Sequence, residues 1–580
     1  MRPHKGYSVK KRKYLWGGLI ASLVIILICW FSKDVYNMPS ALNDEIGYLA
    51  NAAFFSGYDW NGIMRDIPYY SFGYSLFLVP FFLLFSNGQF IYIGVLCINI
   101  ICIEIAFICM LYISEKIWKS GAIELKILIC MSIVLSAYTV SMSRYALSEC
   151  MLFAVFCIIS VWAIKVITSP TYLNTAVLAF LSVFIFSVHQ RALSVMMSSI
   201  ILIIFLLIIK KIPAKKVVTF FIIFIIAGLG FLIIKNLVQN NVWKGDTEAL
   251  SNDFSTQISA ASLILSVDGI KNLAYSFIGK IFAITTAYFL LPIYFVAVFA
   301  KRVFFLIKNK LVDIQNSDIF NLYLFISLLF TIAISAVFCL YPIRQDQVIY
   351  TRYNEYIIGP ILLSAFSSLY NKKKLSILEA GGCCIIIFVL AFFTNRAMIW
   401  MEGNGYISLT TPMLSVFYRN GRINVYIVSV VMILVGGLIY YANIYRHNIL
   451  NYILISIILV IGIYAGNYTN SIYNKQDEIR KATLEMTEEI REYYNETLSG
   501  KIKLALDGET FMQKYYGGLV QAELPQIKAQ YVDLNNEIIS EKNEGSDILI
   551  VFLANESLID EIDQSWDIFF SNEYYTVFKQ

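Results

Sequence analysis

The sequence predicts a polytopic α-helical membrane protein of about 13 transmembrane helices, with interfacial helices in the first outer loop and a small C-terminal extracytoplasmic α/β domain. Three observations predict it. Of 580 residues, 58% are hydrophobic and only 15% are charged, whereas soluble domains average about 45–50% apolar and about 25% charged. Apolar runs of about 18 residues recur from Tyr14 to Gly466, the length a helix needs to cross a bilayer. The charge also changes sign along the chain. Residues 467–580 hold 21 acidic and 10 basic side chains, and residues 1–466 hold 35 basic and 19 acidic. Two domains follow, 1–466 in the membrane and 467–580 outside it. Composition excludes a soluble enzyme, a disordered chain and a nucleic-acid binder.

The first run, 14–31, follows a basic start containing Arg2, Lys5, Lys10, Lys11, Arg12 and Lys13. Its core exceeds the roughly 7–15 residues of a cleaved signal, so it reads as an uncleaved anchor with the N-terminus in the cytoplasm. Further spans are expected at 90–113, 127–142, 151–167, 173–188, 193–209, 217–234 and 275–300, then at 319–341, 356–370, 375–393, 424–441 and 450–466. An odd total places the acidic tail outside. Residues 69–85 are apolar enough to span, but counting them would invert every later loop. Lysine clusters at 116–126, 210–216, 301–310 and 372–374 would then lie outside, against the positive-inside rule. With Gly73 and Pro80 inside it, this segment reads as a broken surface helix within the first outer loop, about 32–89. In the tail, 476–496 is expected to be an amphipathic helix and 557–562 a helical or irregular segment. The runs 502–506, 548–553 and 575–578 are expected to be strands.

Several chemistries are missing. All ten cysteines lie between Cys29 and Cys384 in or beside apolar runs, and the tail has none, so it is not a disulfide-stapled unit. There are three histidines and no HExxH, CxxC, Walker A or GxSxG motif.

Polar groups gather instead at the outer ends of the expected spans. Asp44 and Glu45 open a helical run in the first outer loop, and Glu149 opens another after Arg144-Tyr145-Ala146-Leu147-Ser148. The plain reading of each acid is a first-turn residue favoured by the helix dipole. The functional reading is a carboxylate held rigidly at the membrane surface as a base or metal ligand. His189 and Arg191 share an outer turn, and Arg344, Arg352 and Tyr353 share a later loop. Single arginines at helix ends usually anchor at the interface. Four of them on the outer face (Arg144, Arg191, Arg344, Arg352) run against the usual charge bias and suit an anionic phosphate. Glu104 and Lys280 sit inside apolar runs, where a hydrogen-bonding role competes with a functional one.

These residues, in this order, resemble a known family. A basic N-terminus and one span lead into NDEIGYLANAAFFSG, then Pro68-Tyr69-Tyr70-Ser71-Phe72-Gly73-Tyr74 and an apolar surface helix. This is similar to the GT-C superfamily of polyprenyl-phosphate-sugar-dependent glycosyltransferases, in its bacterial aminoarabinose transferase and protein mannosyltransferase branch. The resemblance implies a catalytic acid at Asp44 with Glu45 beside it. It implies a second acid at Glu149, after the Tyr145-Ala146 pair, and a late Arg-Tyr pair at Arg352-Tyr353. Where some members carry a lysine, this chain has only Arg191 in the His189-Gln190-Arg191 turn. The implied activity is transfer of a sugar from a polyprenyl-phosphate donor to an envelope acceptor (lipid, glycan or protein) on the extracytoplasmic face, probing Arg144, Tyr145, His189, Arg191, Arg344, Arg352 and Tyr353 as substrate-binding residues. The transfer would invert the anomeric centre. No cofactor is required by the motifs, and a divalent ion, Mg or Mn, is a candidate. The alternatives are a lipid-linked sugar transporter or flippase, for which inverted repeats and broken midplane helices are the expected signs, an envelope polysaccharide polymerase or ligase, and a scaffold without activity.

Overall fold

The computed structural model describes residues 5–31, 37–40, 43–64, 67–118, 121–243, 262–309, 313–371, 376–399, 401, 407–419, 422–445, 448–473, 477–493, 501–506, 511–533, 548–552 and 566–579. The expected 557–562 segment lies outside these. The helices are α1 Lys5–Phe31, α2 Asn43–Phe55, α3 Val79–Leu84, α4 Gly88–Ile117, α5 Ile123–Val134, α6 Ala137–Met142 and α7 Glu149–Thr168. They continue as α8 Tyr172–Val188, α9 Leu193–Ile208, α10 Ala214–Val242, α11 Val267–Ala287, α12 Leu291–Lys308 and α13 Asn316–Phe338. The membrane part closes with α14 Ile358–Tyr370, α15 Ile377–Met398, α16 Val425–Ile444 and α17 Asn448–Tyr473.

Among the described residues, 8 helices are long and apolar enough to cross a membrane, or 9 if one bent pair counts as a span. The chain is an integral multi-pass membrane protein. In α10 and α15 only 17% of the apolar window is buried within the protein, so their apolar faces are left for lipid. The other expected spans are shorter or broken. Run 127–142 divides at Leu135-Ser136 into α5 and α6. Run 275–300 is not one straight span, as the sequence reading had it. It bends by 106° between α11 and α12, where Phe289 and Leu290 both take positive φ and Pro292 starts the new helix. Three apolar residues in a row hid that break, because hydropathy does not register a left-handed turn.

Residues 69–85 hold only a 3₁₀ turn, Ser75–Phe77, and α3, a six-residue helix about 9 Å long that cannot cross a bilayer. Pro80 is the second residue of α3, in the first turn where proline is tolerated, and the Tyr74 hydroxyl donates to Asn99 Oδ1 of α4 at 3.1 Å. The same Asn99 amide donates to the Tyr145 carbonyl at 2.7 Å. The two intramembrane charges have structural partners. Glu104 accepts from Ser22 of α1 at 2.7 Å, and Lys280 of α11 donates to the Gln347 carbonyl at 2.9 Å. Lys280 thereby ties down the loop that carries Arg352.

The C-terminal segment contains α18 Asp477–Tyr493, α19 Phe511–Glu523 and strands β1 Lys501–Leu506, β2 Lys528–Asp533, β3 Ile548–Phe552, β4 Asp567–Ser571 and β5 Tyr575–Lys579. The sheet order is β2-β1-β3-β5-β4. β1 pairs in parallel with β2 and β3, in register Ile502 with Ala529 and Ile548. β5 is antiparallel to β3 and β4. Five consecutive residues of β3 are buried, as a central strand covered on both faces requires. This segment sits on the stretch between α1 and α4. Trp60 donates to the Pro525 carbonyl at 2.9 Å, and the Tyr515 hydroxyl donates to the Pro39 carbonyl at 3.0 Å. At Gly88 the chain passes so close to the Ala522 carbonyl that a side chain would collide with backbone.

Candidate active site

Four charged side chains from four separate segments form one array. Asp44 comes from the first turn of α2, Glu149 from the first residue of α7, Arg191 from the turn before α9, and Arg352 from the loop before α14. Glu149 Oε1 accepts from Arg352 Nε at 2.7 Å and from Arg191 Nη2 at 3.0 Å. Arg352 Nη2 then reaches Asp44 Oδ2 at 3.3 Å, while Asp44 Oδ1 accepts from the Tyr70 hydroxyl at 2.7 Å.

Burial separates the roles. Glu149, Arg191 and Arg352 side chains are 1%, 3% and 7% exposed, while that of Asp44 is 37% exposed. Two guanidiniums and two carboxylates sum to zero, which is how such charges tolerate burial. Burial, reinforced by Arg191, pushes the His189 imidazole well below the usual histidine range, so it adds no charge. Its Nδ1 accepts from the Arg191 backbone N–H at 3.3 Å. The Arg191 guanidinium lies over the rings of Tyr353 at 4.9 Å and Tyr356 at 5.8 Å, a desolvated cation–π stack. Arg191 Nε and Nη1 and Glu149 Oε2 are buried with no hydrogen-bond partner among the described residues.

The backbone explains why the array holds. Arg352 N–H donates to the Thr410 carbonyl at 2.9 Å, fixing the 351–355 loop against the turn after α15. Tyr48 of α2 meets Ser148, the residue before Glu149, at 2.8 Å. Gly47 lies flat under Tyr70, and a Cβ there would strike the ring, so glycine is what lets Tyr70 reach Asp44.

The other sequence candidates lie elsewhere. Glu45 is fully buried and accepts from Ser40 N–H at 2.5 Å, the Tyr92 hydroxyl at 2.5 Å and Ala146 N–H at 2.6 Å. It staples the stretch between α1 and α4 to α4 itself and to the turn before Glu149. Arg144 donates to the Trp30 carbonyl at 2.6 Å, and Tyr145 donates to Asn470 at 3.1 Å. Both tie helices together. Arg344 pairs with Asp346 at 3.0 Å, outside the array. Sequence reasoning missed Tyr70, Tyr48 and Tyr356, whose tyrosines are lost among 39 in the chain.

The residues do not form a ready cation site. Arg352 stands between Asp44 and Glu149, and Glu149 Oε1 already serves two guanidiniums. Among the described residues no three His, Cys, Asp or Glu side chains gather.

Set beside solved structures, this chain aligns with three proteins at 10–11% identity and TM-scores below 0.5. It aligns over 97% of its length with 98% of ArnT from Cupriavidus metallidurans bound to undecaprenyl phosphate, at 10% identity and a TM-score of 0.49. It aligns over 94% with 70% of the archaeal oligosaccharyltransferase AglB from Archaeoglobus fulgidus, in complex with an inhibitory peptide and a dolichol-phosphate, at 10% identity and 0.41. Arabinosyltransferase EmbB from Mycobacterium smegmatis aligns over 78% of this chain and 40% of its own, at 11% identity and 0.39. No protein-family profile and no curated protein matches the sequence.

Proposed function

We propose that the protein moves a sugar from a polyprenyl-phosphate donor to an envelope acceptor at the extracytoplasmic face. The observation that carries this reading is the Asp44–Arg352–Glu149–Arg191 array, in which the only well-exposed member is a carboxylate and its neighbour is a guanidinium. The reading includes 13 spans, a cytoplasmic N-terminus, and residues 467–580 as an outer domain over the Asp44 loop.

In this mechanism Asp44 takes the proton of the acceptor hydroxyl or amine as it attacks the anomeric carbon. The bond from that carbon to the phosphate oxygen breaks, and its electron pair stays on the phosphate. A single displacement inverts the anomeric centre. Protonation of Asp44 also removes the partner of Arg352 Nη2, so the array gains one positive charge as the phosphate gains one negative charge. Arg352 then stabilises the leaving group from a preorganised position. Glu149 is the keystone that holds both guanidiniums, and Arg191 supplies long-range positive potential from beneath Tyr353. This reading needs no nucleotide site, in keeping with the absence of such motifs.

The test is transfer in proteoliposomes. A panel of radiolabelled polyprenyl-phosphate sugars is supplied with envelope extract, and label is followed both into acceptor and across the bilayer. Label in acceptor supports the transferase. Donor crossing the bilayer with no transfer supports a flippase instead.

A further inference from the structure

The face opposite the charged array holds a polar cavity. It has a volume of about 650 Å³ and lies among the ends of α4, α7, α13 and α14. α7 carries Glu149 at its first residue and Thr168 of the cavity at its last, about 30 Å away by helix rise. Its polar lining is Lys116, Thr168, Gln315, Asn316, Ser317 and Asn371, over an apolar floor that includes Phe320. That size suits a small-molecule group rather than a water or two.

The charge balance selects the ligand. Lys116 is exposed, lies over the Tyr112 ring at 5.4 Å, and makes no ion pair among the described residues. Lys211 reaches the cavity wall, donating to Asn316 Oδ1 at 2.8 Å. The nearby Asp318 carboxylate is already neutralised by Arg302, at 3.1 and 2.8 Å, and Arg302 also holds the Asp313 carbonyl. The first turn of α13 is already capped, with the Asp318 carboxylate accepting from the Gln315 N–H at 2.9 Å, so Asn316 and Ser317 offer their side chains and only the remainder of the positive end of this 23-residue helix. Against this, α4, α7 and α14 end at the cavity with their partial negative charge, so a bare anion gains less than the lysines suggest. A ligand that carries both a phosphate and hydroxyl donors satisfies both kinds of helix end.

We infer that this cavity binds a phosphate ester with hydroxyl donors, supplied by the headgroup of an anionic phospholipid in the leaflet away from the charged array. Basic pockets between membrane helices on the cytoplasmic side recognise such headgroups, and the lysine distribution places this face in the cytoplasm. The lipid would clamp the ends of α4, α7, α13 and α14, whose other ends carry or adjoin the array. The inference needs the membrane topology but not the sugar-transfer reading.

The experiment is native mass spectrometry of delipidated full-length protein titrated with phosphatidylglycerol or phosphatidylcholine, and separately with glycerol phosphate. The expected result is one saturable phosphatidylglycerol adduct, weakened at least tenfold in Lys116→Gln and in the cavity-filling Ser317→Leu. Lys481→Gln, an exposed lysine in the C-terminal segment, keeps it. An adduct that is unchanged in both cavity variants, or equal binding of phosphatidylcholine, overturns the inference. Saturable glycerol phosphate binding without a lipid adduct overturns the lipid source and assigns the cavity to a soluble phosphate ester. Each variant's melting temperature is measured alongside, so that misfolding is not read as lost binding.

Discussion

Replacing Glu149 by Gln tests whether it is the keystone of the array. The carboxylate oxygen Oε1 lies 2.7 Å from Arg352 Nε and 3.0 Å from Arg191 Nη2, with all three side chains nearly fully buried. Removing one member of a buried ion pair costs about 3–5 kcal/mol, because the remaining charge is left uncompensated. Here Arg352 keeps Asp44 at 3.3 Å, and Arg191 keeps two ring faces, each worth about 0.5–2 kcal/mol. The expected loss therefore sits near the lower bound, about 3 kcal/mol. Arg191→Met on top of Glu149→Gln removes the cation that lost its partner, so the double variant should recover part of the loss. The coupling should be about 2–3 kcal/mol, within the range for groups in one network. Unfolding of wild type, both single variants and the double variant in mixed micelles titrated with SDS measures it. A Glu149→Gln protein as stable as wild type, or losses that simply add, would refute the keystone role.

Three further outcomes follow from the geometry. Gly47→Ala forces the Tyr70 ring away and removes its hydrogen bond to Asp44; one bond to a charged group is worth about 1.5–3 kcal/mol, so kcat should fall at least about tenfold with the fold intact by circular dichroism. Glu45→Ala strands two backbone N–H donors and the Tyr92 hydroxyl, costing about 3 kcal/mol or more, and should lower the melting temperature sharply while the protein that stays folded keeps its turnover. Burial pushes the Glu355 carboxyl, beside Thr351 and Tyr288, up to about 8. The native state then holds a proton that the unfolded chain releases, so this group's contribution to stability is full below its unfolded value and lost as pH rises to about 8. Melting temperatures measured across that window should fall with pH in wild type and fall less in Glu355→Gln.

The parts of this architecture that hydropathy and charge reveal were legible in the sequence. Long apolar helices such as α4, α7 and α13 announce themselves by composition. That residues 69–85 do not form one spanning helix was legible because Gly73 and Pro80 interrupt the run. The bend at Phe289-Leu290 was not, since a left-handed turn between apolar residues leaves no compositional trace. In the tail, β3 and β5 show apolar runs and β1 ends in Leu504-Ala505-Leu506, whereas β2 is broken by Lys528, Gln530 and Asp533 and β4 is a half-exposed edge. Asp44, Glu149, Arg191 and Arg352 stood out singly as charges at helix mouths. Their meeting point depends on four loops spread over 308 residues of separation, which no local pattern encodes. Glu45 shows the converse: it adjoins Asp44 in sequence, yet the helical turn sends it into the protein.

The most direct test of the central claim is sugar transfer by Asp44→Asn beside wild type in proteoliposomes, with donor and acceptor both saturating. The substitution keeps the shape and the Tyr70 contact but removes the base. Wild type should transfer the sugar, and Asp44→Asn should lose about 10²–10⁴-fold in rate while its melting temperature stays near that of wild type. Transfer by Asp44→Asn at the wild-type rate would contradict the account and leave Asp44 as a first-turn helix residue.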